Sequence, residues 1–543
     1  MNTQSNAAAL RRRSRRVAGA LLLSLAFAGP TLGANSPDAT TCEKLKSLST
    51  GSYQVETAEW VGASRQPYGM GGAPVEVPAH CLFRVTIDAR PSGMEAMRYG
   101  TGIEIRLPAN WNRRLLFQGG GGLNGVLLPA LGNVAGATSA LMRGFAVVST
   151  DGGHRGRNAI DTRFGVDQQA KLDFAWAAIA RTTREAKDLL KQYYGNKPDY
   201  SYFMGCSTGG REAMMAAQRL PLEFDGVVAG NPSFNLTRVA ANQVWSLQTV
   251  TRIAPKDAAG RPQMHAAFTD AQLQGVAAAV LRQCDELDGL SDGMINDYRA
   301  CKFDPRSLVC NAKDASRGGA CLSAAQATGL RDIFGGARNS RGESLYGTFA
   351  FDTGIAAPAW RSMHLGTPSA EPANATLGRD TLREFSMTPA DPGFDPRKFD
   401  FDRDMVRLEE TASINDAVGT LLTTFAGHGG KMIVYHGLSD QAMATGALTS
   451  WYERLTPATP AGPQAWARLF LIPGMLHCAG GQATDQFDML TAIEAWVEKG
   501  QAPDRIAASG RAFPGLSRPL CPAPQVARYD GGDVNDQRSF SCR

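Results

Sequence analysis

The chain has 543 residues, enough for one large core plus an inserted or appended domain. Its 43% apolar and 20% charged residues are ordinary for a globular protein. The formal net charge of +5 equals the five arginines of "RRRSRR" (11–16); the remaining chain is near neutral, which excludes a basic footprint for nucleic acid or anionic lipid.

That cluster precedes the apolar "VAGALLLSLAFAG" (17–29) and the small residues of "TLGANS", the order of a secretory signal. The apolar run is too short to span a bilayer, so residues 1–34 read as a signal peptide cut near Gly33 or Ala34, leaving no membrane attachment. An uncleaved anchor is the alternative, and "SRRVAG" is also similar to a twin-arginine signal. Export to a periplasm or the medium permits disulfides, and ten cysteines stand at 42, 81, 206, 284, 301, 310, 321, 478, 521 and 542. Cys206 and Cys478 have no cysteine close to them in sequence.

Strands and helices then alternate. "RRLLFQGGGG" (113–122) and "FAVVSTDGG" (145–153) are short apolar runs ending in glycines. "DFAWAAIARTTREAKDLLKQYYG" (173–195) carries Trp176, Ile179, Thr183, Ala186, Leu190 and Tyr193 at helical spacing, with Gly195 as a cap. "YFMGCSTGGREAMM" (202–215) reads as a buried strand, a glycine turn and a helix from about Arg211; "DGVVAG" (225–230) is the next strand. Strands separated by such helices imply parallel pairing and a sheet covered on both faces. The alternation breaks near 235, and residues 364–397 are rich in Pro and Gly without clear periodicity. It resumes with "KMIVYHG" (431–437), "ARLFLIPG" (467–474) and the amphipathic "DMLTAIEAWVEKG" (488–500). The reading is an α/β fold in which 35–234 and 418–543 form a catalytic domain and 235–417 an inserted lid domain.

Gly205, Ser207 and Gly209 form G-x-S-x-G on the strand-to-helix turn, which lifts a serine clear of the backbone and aims helix N–H groups at an oxyanion. A nucleophilic serine needs a base and the base an orienter, in the chain order Ser, Asp or Glu, His for an α/β-hydrolase. Asp440 and His477 each lie just past a strand and fit; the alternatives are His154 in "TDGGH" as base and Asp440 as a mere turn former. His80, His265, His364 and His428 read as loop residues and His436 as the close of a strand. Cys206 precedes Ser207 and Cys478 follows His477. If serine and imidazole approach within hydrogen-bond reach, their cysteine neighbours fall within disulfide range; two separate buried thiols are the alternative. "CDELDGLSDGMIND" (284–297) gathers Asp285, Asp288 and Asp292 beside glycines, an acidic turn or a calcium loop by spacing alone.

Together "QGGGGLNG", "TDGGH", "GCSTGGREAM", "CDELDGLSDG", "YHGLSDQA" and "PGMLHCAGG" make the chain resemble, from Cys42 to Cys542, the tannase and feruloyl esterase family of α/β-hydrolases, which includes the hydrolase of mono(2-hydroxyethyl) terephthalate. The resemblance implies a serine carboxylesterase acting on small aromatic esters, with Ser207, Asp440 and His477 as triad and an oxyanion hole from the Thr208 and Gly122 N–H groups. It implies disulfides Cys42–Cys81, Cys206–Cys478, Cys284–Cys301, Cys310–Cys321 and Cys521–Cys542. It also implies a structural Ca2+ in the lid, held by the Asp285, Asp288 and Asp292 carboxylates and the Leu290 and Met294 carbonyls. The substrates expected are feruloyl or galloyl esters, with a terephthalate monoester as alternative. In the lid, Met363 stands where the terephthalate branch has tryptophan, with Arg379, Arg383 and Phe385 nearby. A calcium-stabilised extracellular binding protein with an inactive site is the reading from another class.

Overall fold

The computed structural model describes residues 38–68, 72–311, 320–456 and 462–543. The signal peptide read at 1–34 lies outside them. The central sheet contains β1 (Tyr53–Val61), β2 (His80–Pro91), β3 (Arg98–Pro108), β4 (Arg114–Gln118), β5 (Ala146–Thr150), β6 (Tyr200–Cys206), β7 (Gly226–Gly230), β8 (Lys431–Gly437) and β9 (Ala467–Ile472). Their order is β1-β2-β3-β5-β4-β6-β7-β8-β9, and the two-residue strand His154–Arg155 pairs with β3. From β5 to β9 all neighbours are parallel; β1, β2 and the β3–β5 contact are antiparallel.

Parallel strands covered on both faces must be apolar on both faces, and these are: every residue of β5 and β7 is buried. Successive side chains sort to opposite sides. Phe117, Val148, Phe203 and Val434 pack with Ile179, Leu190 and Met214, while Leu116, Val147, Tyr202 and Ile433 pack with Leu490, Ile493 and Trp496. The helices that cover the sheet are α1 (Ala178–Tyr194) against β3 and β5, α2 (Thr208–Arg219) against β6 and β7, and, on the other face, Met489–Lys499 against β7 and β8. Gly195 and Gly500 end their helices in the left-handed conformation expected of them.

Between β7 and β8 the chain leaves the sheet for about two hundred residues. This excursion has a core of its own, including Phe268, Val276, Val280, Leu330, Ile333 and Trp360. It nevertheless stays packed on the sheet, Pro37–Arg543 forming one compact unit. The stretch 364–397 contains a helix, Ala373–Asp380, continued by a π-helical turn, Thr381–Ser386. Its buried face includes Asn374, Ala375 and Gly378, so no large apolar periodicity announces it. The helix after Ser207 starts at Thr208 rather than near Arg211, because the serine itself stands at the cap.

Candidate active site

β6, β7 and β8 run in register, with Cys206 beside Gly230 and Gly230 beside Tyr435, so the loops after them emerge together at one edge. Ser207 has φ 61° and ψ −121°, the sharp turn of a nucleophile elbow. Three backbone hydrogen bonds hold it: its N–H donates to Gly230 O at 3.0 Å, and its carbonyl accepts from Arg211 N at 3.0 Å and Ser233 N at 3.1 Å. The motif glycines are required by contact. A Cβ on Gly205 would meet the Gly209 carbonyl carbon at 2.6 Å, and one on Gly209 would meet Gly120 O at 2.6 Å. The glycine run therefore lies directly on the elbow, and the Thr208 hydroxyl donates to the Gly122 carbonyl. Gly122 has φ +58°, and a Cβ there would meet Ala159 O at 2.2 Å. Glu212, fully buried on α2, fixes the run by accepting from Gly120 N at 2.8 Å and Asn124 Nδ2 at 2.6 Å.

His477 and Asp440 meet. His477 Nδ1 lies 2.8 Å from Asp440 Oδ2, and the His477 N–H donates to Gln441 Oε1 at 3.3 Å. Asp440 also accepts from Ala442 N at 2.8 Å and Met443 N at 2.9 Å through Oδ1, and from Asn231 Nδ2 at 2.7 Å through Oδ2. Burial opposes charge on both partners, yet their attraction prevails: the carboxyl is held down to about 2 and the imidazole above its usual range. The loops of Ser207 and His477 are joined by the Cys206–Cys478 disulfide, Cα–Cα 5.9 Å. The other four bonds are Cys42–Cys81, Cys284–Cys301, Cys310–Cys321 and Cys521–Cys542.

His154 is not placed for base work. It is buried, stacked on Phe164 with centroids 3.8 Å apart, and burial pushes it down to about 3. His80 and His364 are buried rather than loop-exposed, His80 opening β2 and His364 ending the helix Pro358–His364. His436 closes β8, buried, with Nε2 at 3.1 Å from Met443 O and 4.0 Å from Asp440 Oδ2.

The excursion supports the same loops. Asp352 accepts from Ser439 Oγ at 2.9 Å and Gly474 N at 2.7 Å; Ala444 N donates to Tyr346 OH at 3.1 Å; His364 Nε2 lies 3.2 Å from Gln441 O. None of these contacts, nor that of Asn231, has a sequence signal, since each joins residues far apart in the chain. Phe385 is core, tilted against Phe164 and edge-on to Phe174. Arg379 pairs with Asp380 and Glu371, and Arg383 donates to Phe394 O.

In the acidic loop, Asp285 accepts from Gly293 N at 3.0 Å, Asp288 is buried against Asn296 Nδ2 at 2.6 Å, and Asp292 pairs with Arg518 at 2.5 Å. Among the described residues no three Asp, Glu, His or Cys side chains close into a metal-binding group. The donor chemistry still fits a hard cation: three carboxylates on one loop, Asp288 buried with only neutral partners. Met294 is buried and Leu290 packs against the C-terminal segment.

A serine elbow, a glycine run folded onto it and a His–Asp pair at the carboxyl edge of a parallel sheet define an α/β-hydrolase-type ester hydrolase. The model of the family "Tannase and feruloyl esterase" matches residues 84–543, and the chain belongs to that family. It is 39% identical to the mono(2-hydroxyethyl) terephthalate hydrolase of Piscinibacter sakaiensis, covering 90% of this chain and 88% of that one. It is 31% identical to the "Probable feruloyl esterase B-1" of Aspergillus oryzae, covering 81% and 80%. The crystal structure of feruloyl esterase B from Aspergillus oryzae superimposes with a TM-score of 0.78 at 27% identity, over 93% of this chain and 100% of that one. Tannin acyl hydrolase from Aspergillus niger has the same fold, TM-score 0.68 at 21% identity, over 91% and 90%. The protein is a carboxylic ester hydrolase, and the binding-protein reading gives way to that.

Proposed function

We propose that this is an exported serine esterase that hydrolyses esters of aromatic acids through Ser207, His477 and Asp440. The observation that carries the reading is the His477–Asp440 hydrogen bond of 2.8 Å on a loop covalently tied beside Ser207. Ser207 Oγ attacks the ester carbonyl while His477 Nε2 takes its proton; Asp440 fixes the tautomer and balances the imidazolium. The Gly122 and Thr208 N–H groups receive the oxyanion. His477 then protonates the departing alcohol, and water, activated by the same imidazole, releases the acid from the acyl-enzyme. Export is supported by five disulfides, and no described helix is long and apolar enough to cross a membrane.

Residues 235–417 act in this reading as the lid that grips the acyl ring, and the acidic loop holds Ca2+ through Asp285, Asp288, Asp292 and the Leu290 and Met294 carbonyls, a structural ion outside the reaction. Feruloyl and galloyl esters are the preferred substrates. A terephthalate monoester is the second reading, favoured by the 39% identity to the Piscinibacter sakaiensis enzyme. It ranks lower because Arg379 and Arg383, the arginines near that part of the lid, already have partners for their charge or N–H groups.

A panel of methyl ferulate, methyl gallate and mono(2-hydroxyethyl) terephthalate tests this, with Ser207→Ala as control. The first two should exceed the third in kcat/KM, and the variant should leave all three near background. Strong preference for the third would reverse the ranking; an active Ser207→Ala would remove the triad.

A further inference from the structure

Asn231 follows β7 directly and stands in the left-handed region at φ 34°, which asparagine tolerates better than most residues but still at a cost. It is fully buried, and its Oδ1 has no hydrogen-bond partner. A strained backbone and an unpaired buried acceptor are two destabilising features at one residue. What they accompany is a single side-chain hydrogen bond: Nδ2 donates to Asp440 Oδ2 at 2.7 Å, the same oxygen that holds His477 Nδ1 at 2.8 Å. A carboxylate only accepts, so the amide nitrogen must face it.

We propose that Asn231 is a positioning residue that sets the basicity and aim of His477 by sharing Asp440 Oδ2 with it. This rests on the triad reading above. A donor on that oxygen draws off part of the carboxylate's charge and pins its rotation, so the imidazole meets a fixed and partly compensated anion. The other titratable groups facing the pair are His436 on β8, 4.0 Å from Oδ2, Tyr346, whose hydroxyl accepts from Ala444 N, and Asp352, joined to the loop through Ser439. None of them donates to Oδ2, so the Asn231 amide has no substitute among the described residues.

The test is the pH dependence of kcat and kcat/KM on a chromogenic short-chain ester for the native chain, Asn231→Ala and Asn231→Gly. Glycine accepts the left-handed backbone freely, so its variant isolates loss of the amide from loss of the fold. Without the donor, Asp440 faces His477 as a less compensated anion, and the acid limb should move to higher pH by about half a unit or more, with kcat lowered roughly tenfold and KM little changed. A limb that superimposes on the native one in both variants overturns the proposal, whether or not kcat falls. Ser207→Ala separates the two readings: its retained activity would sink the triad, whereas an inactive Ser207→Ala with unmoved limbs sinks only the role of Asn231.

Discussion

Burial alone would push the Asp440 carboxyl up; the His477 imidazole, with the Asn231 amide, holds it down to about 2 as an anion, and the Ala442 and Met443 N–H groups donate to its other oxygen. That anion in turn favours protonated His477, which lies above the ordinary histidine range of about 6.5. A general base must be neutral, so activity should be lost as pH falls through that raised value. Asp440→Asn removes the charge but not the shape. The imidazolium then loses its counter-ion, its pKa drops, and the acid limb of kcat/KM should move to lower pH, opposite to Asn231→Gly. The wrong tautomer should also lower kcat by about 10⁴, the effect of the equivalent change in a serine protease. A pH–rate profile of the purified variant checks both, and a limb fixed at its native position would show that His477 does not feel this carboxylate.

The parallel strands were legible because each is a short apolar run stopped by glycine, and the elbow because its glycines are forced by contacts of 2.6 Å. The antiparallel strands β1 to β3 were not. Glu104 and Arg106 are buried inside β3, paired with each other at 2.7 Å and, for Glu104, with Arg84 of β2 at 2.8 Å, so charge interrupts the apolar pattern that marks a strand. The excursion was legible as an interruption, but not as a scaffold. Its Asp352 joins the loop of Asp440 to the loop of His477, accepting from Ser439 Oγ, Gly474 N and Thr353 N at 2.7–2.9 Å. Asp352→Ala would leave two buried donors unpaired, Ser439 Oγ and Gly474 N, at about 1–3 kcal/mol each, besides the partly buried Thr353 N–H. The variant should unfold at clearly lower urea and lose kcat, with Asp352→Asn intermediate because it keeps one acceptor. Native midpoint and rate in Asp352→Ala would mean the excursion does not support the triad.

The C-terminal segment gathers around the acidic loop. Cys284–Cys301 closes it, Asp292 pairs with Arg518 and Asp297 with Arg528, and Arg528 also donates to Leu287 O at 2.9 Å, so the excursion is fastened to the C-terminal strands at this point. These arginines answer Asp292 and Asp297 but leave Asp285 and Asp288 with neutral partners, and a divalent oxygen-seeking cation would answer those two. An ion bound by the folded loop and not by the unfolded chain adds stability by mass action, about 2.7 kcal/mol at a hundredfold excess over its Kd. Calcium should therefore raise Tm by several degrees over a chelator, and Asp288→Asn should remove the difference. An ion that only stabilises the fold takes no part in the reaction, so kcat at 25 °C should be equal in calcium and chelator. Equal Tm in both for the native chain would remove the ion, whereas a Tm rise with a parallel rise in kcat would move it from the scaffold into the catalytic centre.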